Sequence, residues 1–189
     1  MPRAGLTPEG VVERAGAIAD AKGLHAVTLA RLAADLGVRP PSLYKHVASL
    51  DAIERALAVR GLREANARVQ KATVGKARDA ALVALARAYW NFAREHPGLY
   101  AASQRAPRAG ENDVAREAET LVGTLQTVLG GYGLKGDDAV HAARGLRAII
   151  HGFVSLDAAG AYRLKADLGE TLDRLVDAFA ADIARRAGG

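Results

Sequence analysis

TLARLAADLGVRPPSLYKHV, residues Thr28 to Val47, holds two short apolar stripes separated by one glycine, with two adjacent prolines opening the second. In the first half Leu29, Leu32, Ala33 and Leu36 recur at three- and four-residue spacing, which is one face of a helix. Thr28 ahead of them is a capping hydroxyl, and Gly37 behind them is a helix stop. In the second half the prolines suit a first helical turn, because those N–H groups have no intrahelical partner. Leu43 and Val47 then share a face, with Val38 just upstream. Pro41, Ser42 and Lys45 point the other way, and Tyr44 and His46 lie on the flanks. The spacing predicts two short helices joined by Leu36-Gly37-Val38, the second pinned from below while it presents polar groups outward. A helix-turn-helix has this shape, and its second helix enters the major groove. Arg39, Ser42 and Lys45 are donors suited to base edges. Pro40 and Pro41 offer flat apolar surface to a thymine methyl, and Thr28, at a helix start, can hold a phosphate.

Working outward, helical periodicity continues along the chain. Thr7-Pro8-Glu9 combines a capping hydroxyl, a proline at the first helical position and an acid at the positive end of the dipole; Gly23 ends that run. Further helices are expected over about 49–70, 75–96, 98–105, 112–129, 137–159 and 167–186, with loops at QRAPRAGEN and GGYGLKGDD. The fold class is therefore all-α with about nine helices. The expected division is a three-helix helix-turn-helix domain over 1–50, a connecting helix over 51–74, and a further helical domain over 75–189, to which the resemblance given below assigns ligand binding and dimerisation.

Composition narrows the function. The 189 residues are half hydrophobic but only 5% aromatic, and there is no cysteine, which excludes disulfides, thiolate catalysis and cysteine-based zinc sites. The start MPRAGLTPEG lacks the apolar stretch of a signal peptide, and no apolar run approaches a membrane span, so a cytoplasmic protein is expected. Charge is uneven: 8 Lys/Arg against 6 Asp/Glu over 1–60, 9 against 3 over 61–110, and 9 against 12 over 111–189. A basic N-terminal half suits a phosphate-bearing partner, although helical proteins also carry uneven solvated faces. His25, His46, His96, His141 and His151 are too scattered for a metal site, and no phosphate loop or nucleophile elbow is present. No metal, cofactor or enzymatic activity is expected.

VTLARLAADLGVRPPSLYKHVASLDAIERAL, residues 27–57, resembles the DNA-binding region of the TetR family of bacterial transcriptional regulators. The resemblance rests on Leu36-Gly37-Val38 and on Leu43-Tyr44-Lys45-His46-Val47, and it covers roughly residues 7–60. FAREHPGLY and HGFVSLDAAG resemble the C-terminal region of one group in that family, the "HG" type. The resemblance implies an all-helical homodimer that binds a palindromic double-stranded DNA operator and is released by a small molecule held in the C-terminal domain. By position it implies base contacts from Arg39, Pro40, Ser42 and Lys45, and phosphate contacts from Thr28, Tyr44 and His46. One departure stands out. The family usually carries a lysine at the start of the fourth helix, where it meets a phosphate, and this chain has Leu50 there, followed by Asp51. Either that contact is lost, or a nearby cation such as Arg55 or Arg31 supplies it. The competing reading is a small helical ligand-binding protein or enzyme whose helix-turn-helix is incidental.

Two further sets of candidates come from the C-terminal part. Gly145, Ile149, Gly152 and Leu156 form one stripe on the eighth helix, and Leu172, Leu175, Val176 and Phe179 recur at helical spacing on the ninth. These stripes fit a dimer interface or the chain's own core. Tyr89, Trp90 and Phe92, with His96, Tyr100 and His151 as polar handles, are candidates to line a pocket for a small, largely apolar effector. The same aromatic spacing also suits plain core.

Overall fold

The computed structural model describes residues 6–187; Met1 to Gly5 of the leader reading lie outside them. Among the described residues there are nine α-helices and no strand. They are α1 (Pro8–Lys22), α2 (Leu29–Asp35), α3 (Pro40–Leu43), α4 (Leu50–Thr73), α5 (Arg78–Glu95), α6 (Pro97–Ser103), α7 (Asn112–Gly130), α8 (Gly136–Ala158) and α9 (Leu168–Ala187), with a 3₁₀ turn at Leu24–Ala26. None is long and apolar enough to cross a membrane.

Two caps are the ones the sequence signals, at Thr7 and Thr28, and a third, at Asp167, is added by the structure. Thr7 Oγ accepts from Gly10 N–H at 3.1 Å, Thr28 Oγ from Arg31 N–H at 3.1 Å, and Asp167 Oδ1 from Glu170 N–H at 2.7 Å. Pro97 occupies the first position of α6. Helix α5 starts at Arg78, later than the sequence suggests. Gly75 at φ +71° and Arg78 at φ +52° both take left-handed backbone, which interrupts the pattern between α4 and α5.

The chain divides into two compact units that no single cut along the sequence would produce: Met1–Arg63 with Glu95–Arg116, and Glu64–Arg94 with Glu117–Gly189. The expected domain limits ran consecutively, whereas residues 95–116 belong with the N-terminal helices. In that first unit α1 packs on α6 and α2, and α2 on α3. Val11, Ala15, Ala19, Leu32, Leu43, Ile53 and Leu57 are buried there. Two glycines permit close approach. A Cβ on Gly98 would lie 2.2 Å from the Ala19 carbonyl carbon, and one on Gly61 would lie 2.4 Å from the Leu99 oxygen.

The second unit is closed by larger side chains. Leu82, Phe92, Leu129, Leu146, Phe153, Leu172 and Val176 are buried, and α8 packs on α9. Trp90 and Phe153 meet edge-on with centroids 5.6 Å apart, and Phe153 stacks at a tilt on Tyr162 at 5.1 Å. Helices α4 and α7 each carry residues of both units.

Candidate functional site

The turn between α2 and α3 is a glycine C-cap. Gly37 N–H donates to Ala34 O at 3.1 Å and Val38 N–H to Ala33 O at 3.0 Å, with Gly37 at φ +66°. The chain is thereby reversed within three residues, and Arg39 enters α3 in extended conformation. Leu43 is fully buried and Val47 half-buried, as the apolar stripe requires. The α-helix itself ends at Leu43, earlier than the expected Val47. Leu43 O accepts from both His46 N–H (2.8 Å) and Val47 N–H (3.0 Å), so the helix closes in a tightened last turn.

This turn of helix carries the outward face. Arg39, Pro40, Pro41, Tyr44 and Lys45 are exposed, while Ser42 and His46 are half-buried. Tyr44 keeps 58% of its surface in solvent, so it does not serve as core. Among the described residues Arg39 and Lys45 form no ion pair, leaving both cations available to an external acceptor. Thr28 is exposed, and its oxygen caps α2. Its hydroxyl hydrogen remains free to donate to a phosphate oxygen.

The start of α4 differs from its expected form. Ser49 Oγ caps it by accepting from Ala52 N–H at 3.1 Å. Arg55, one of the two cations considered for the missing lysine, donates through Nε to both Asp113 oxygens at 2.9 and 3.1 Å. Arg31 has no ion-pair partner among the described residues. Asp51 pairs with Arg108 from the loop before α7, and Glu54 lies 3.8 Å from the same guanidinium. That loop is organised by Glu111, which is buried. Its carboxylate accepts from Arg105 Nη1 and Nη2 at 2.6 and 2.8 Å and from Arg108 N–H at 2.8 Å. These bonds, the Arg105 pair first, lower its pKa to about 2. Sequence reading missed this network, because an acid in a loop carries no periodic signal.

A second polar lock joins α1 to α6. Asp20 Oδ1 accepts from Gly98 N–H at 2.9 Å and Leu99 N–H at 3.1 Å, capping α6 from another helix. Asp20 Oδ2 lies 3.0 Å from His96 Nδ1. The HPGLY segment is thereby explained: histidine to bond Asp20, proline to open α6, and glycine to let α6 lie against Ala19.

The six effector-pocket candidates fall into both units. His96 and Tyr100 belong to the first, where His96 is bonded to Asp20 and Tyr100 is buried; Tyr89, Trp90, Phe92 and His151 belong to the second. Trp90 Nε1 donates to Asp157 Oδ2 at 2.7 Å, and the Arg94 guanidinium lies 5.0 Å from its ring. Phe92 is fully buried, with Tyr89 at 6.3 Å, and His151 is exposed on α8. An open cleft lies elsewhere in the second unit, at Thr73, Lys76 and Arg78, which the sequence reading did not single out.

The dimer candidates also separate. Leu172 and Val176 are fully buried within the chain and have no surface to offer a partner. Leu156 and Leu175 remain 48% and 42% exposed, and Ile149 and Phe179 are half-buried. A Cβ on Gly152 would meet nothing within 4 Å, whereas one on Gly145 would lie 3.2 Å from Phe179 Cε2.

Residues 82–179 match the family described as tetracyclin repressor-like, C-terminal domain. The chain is 36% identical over 178 residues to YobS, an uncharacterized HTH-type transcriptional regulator of Bacillus subtilis, covering 94% of this chain and 93% of that one. It is 35% identical over 156 residues to Rv0681, an uncharacterized HTH-type transcriptional regulator of Mycobacterium tuberculosis, covering 82% and 72%. Among solved structures, a protein of unknown function from Rhodococcus sp. RHA1 superposes with a TM-score of 0.82 at 24% identity, covering 97% and 98%. A TetR variant from Acinetobacter baumannii in complex with minocycline superposes at 0.71 and 20% identity, covering 97% and 99%. At these identities the structural likeness establishes the fold.

Proposed function

Because the chain belongs to the TetR family of transcriptional regulators, and is thus a DNA-binding regulator and not an enzyme, we propose that it is a cytoplasmic repressor released from a palindromic operator by a small, largely apolar effector. The observation that carries the DNA-reading part is the exposed face around α3: Tyr44, Arg39 and Lys45, flanking the helix, stand outward on a turn anchored by the fully buried Leu43. Arg39, Pro40, Ser42 and Lys45 face bases, and Thr28, Tyr44 and His46 touch phosphates. Pro41 adds apolar contact beside them. The protein acts as a homodimer through the accessible part of α8 and α9, at Ile149, Gly152, Leu156 and Leu175, so that two α3 helices read a two-fold symmetric site. The effector sits in the second unit and acts through α4, by binding the two DNA-reading states with unequal affinity, typically by ~1–3 kcal/mol.

The test is binding of the purified protein to its own upstream DNA at two salt concentrations. Affinity falls with salt in proportion to the phosphates neutralised. Lys45→Ala is expected to cost on the order of 1–3 kcal/mol and to relax base preference. Tyr44→Phe is expected to weaken binding to all sequences without reordering them. Unchanged affinity and preference in Lys45→Ala would remove Lys45 from the base-reading set.

A further inference from the structure

We propose that the second unit carries a binding site for a small organic anion with an apolar body, in the cleft where α4 ends and α5 begins. The cleft measures about 270 Å³. Its wall divides by chemistry. Ala77, Ala81 and Val128 supply an apolar side, and Lys76 and Arg78 supply two cations. Thr124 and Thr127, which also line it, donate their hydroxyl hydrogens to Thr120 O and Gly123 O on their own helix. Thr73 Oγ1 likewise donates to Val69 O and Gln70 O, so Lys76 and Arg78 are the charged side-chain donors facing an occupant.

Neither cation is neutralised from within. Lys76 Nζ donates to Ala72 O at 2.8 Å, and the Arg78 guanidinium lies 4.8 Å from the Tyr132 ring. Among the described residues neither pairs with a carboxylate. Asp79, the neighbouring acid, instead accepts from the Tyr132 hydroxyl. The other arginines of α5 behave differently: Arg87 pairs with Asp173, and Arg94 lies 3.7 Å from Asp157. Arg78 is also held at φ +52°, a conformation its side chain does not favour, so its place at the cleft is imposed by the surroundings. A carboxylate on an aromatic or short aliphatic body matches both walls, with charge toward Lys76 and Arg78 and carbon toward Ala77, Ala81 and Val128. Thr73, the last residue of α4, also lines the cleft. An occupant therefore touches the helix whose first turns belong to the DNA-binding unit. The regulatory consequence rests on the switch proposed above; the site itself does not.

Benzoate is the probe, with benzamide as its neutral counterpart and inorganic phosphate as charge without an apolar body. Amide NMR shifts of the full-length protein are followed during titration. Saturable shifts at 76–81 and 124–131 are expected with benzoate, and at least tenfold weaker binding with benzamide and with phosphate. Lys76→Gln, an exposed change, and Arg78→Gly, which the positive φ favours, are each expected to weaken benzoate at least fivefold while leaving the remaining spectrum unchanged. No saturable benzoate shift at these residues, equal binding of benzamide or phosphate, or unaltered affinity in both variants would overturn the proposal. Operator binding measured in the same samples separates the two ideas. Benzoate seated in the cleft without effect on DNA would leave the site standing and count against the cleft as the switch.

Discussion

The two units close their packing by different means, and what each leaves on its surface follows from that. In the first, small residues bring backbones together, as at Gly98 against Ala19 and Gly61 against Leu99. Carboxylates then bridge the helices: Asp20 caps α6, Glu111 holds the loop before α7, and Asp113 holds Arg55. Among the described residues, Arg39 and Lys45 stand outward in this unit without an ion-pair partner. In the second unit aromatic rings fill the core, around Trp90, Phe153 and Tyr162. Its surface keeps two large apolar side chains of α8 and α9 half in solvent, Leu156 and Leu175, and a cleft on α4, α5 and α7 with Lys76 and Arg78 at its wall. Unpaired cations suit phosphates or a small anion, and exposed apolar area suits a second protein surface.

The comparison breaks first at the closest contact. Gly98→Val puts carbon where the Ala19 backbone already stands, so α6 must move off α1. A loss of about 3 kcal/mol, the upper end for overpacking, is expected, read by urea unfolding, since the contact is with backbone and is relieved only by its displacement. Asp20→Ala removes one acceptor for two backbone N–H groups and for His96. It should cost about 1–2 kcal/mol, a capping loss, by the same measurement. An Asp20→Ala protein as stable as the parent would show that close packing alone holds α6.

In the second unit the equivalent substitution is expected to spare the fold. Gly152→Leu enters open space, and leucine is the better helix former, so monomer stability should hold or rise slightly. The dimer, in contrast, should weaken by at least about tenfold, or about 1.4 kcal/mol, in sedimentation equilibrium. A variant with unchanged dissociation would exclude Gly152 from the interface.

The smallest effect sharpens the electrostatic side. The Glu111 carboxyl titrates at about 2 in the folded chain, below its ordinary value of 4.5. The unfolded chain therefore binds the extra proton first as pH falls, and the group's contribution to stability is complete above about 4.5 and lost progressively toward 2. Carboxyl NMR should place its midpoint near 2, and Glu111→Gln should flatten the stability profile across that interval.

Much of the geometry of the proposed DNA-reading turn was legible in the sequence because its determinants are local. Thr28 and Gly37 act within three or four residues of themselves, and Leu43 and Val47 share a face by helical geometry alone. The nine helices among the described residues were likewise readable from periodicity, caps and prolines. Tertiary structure decided the rest. His96 shares the spacing of Tyr89 and Phe92, yet its partner is Asp20, 76 residues away, and no local pattern specifies a partner at that distance. Leu172, Leu175 and Val176 are alike in composition, but the first and last face the core and Leu175 does not, because successive positions on a helix turn by about 100° and only a packed neighbour says which side is in. Lys76 and Arg78 read as ordinary surface charges until the fold brought Val128 and Thr124 of α7 beside them to make a cleft. Periodicity and capping are properties of neighbours along the chain. Burial, ion-pair choice and cavities are properties of neighbours in space.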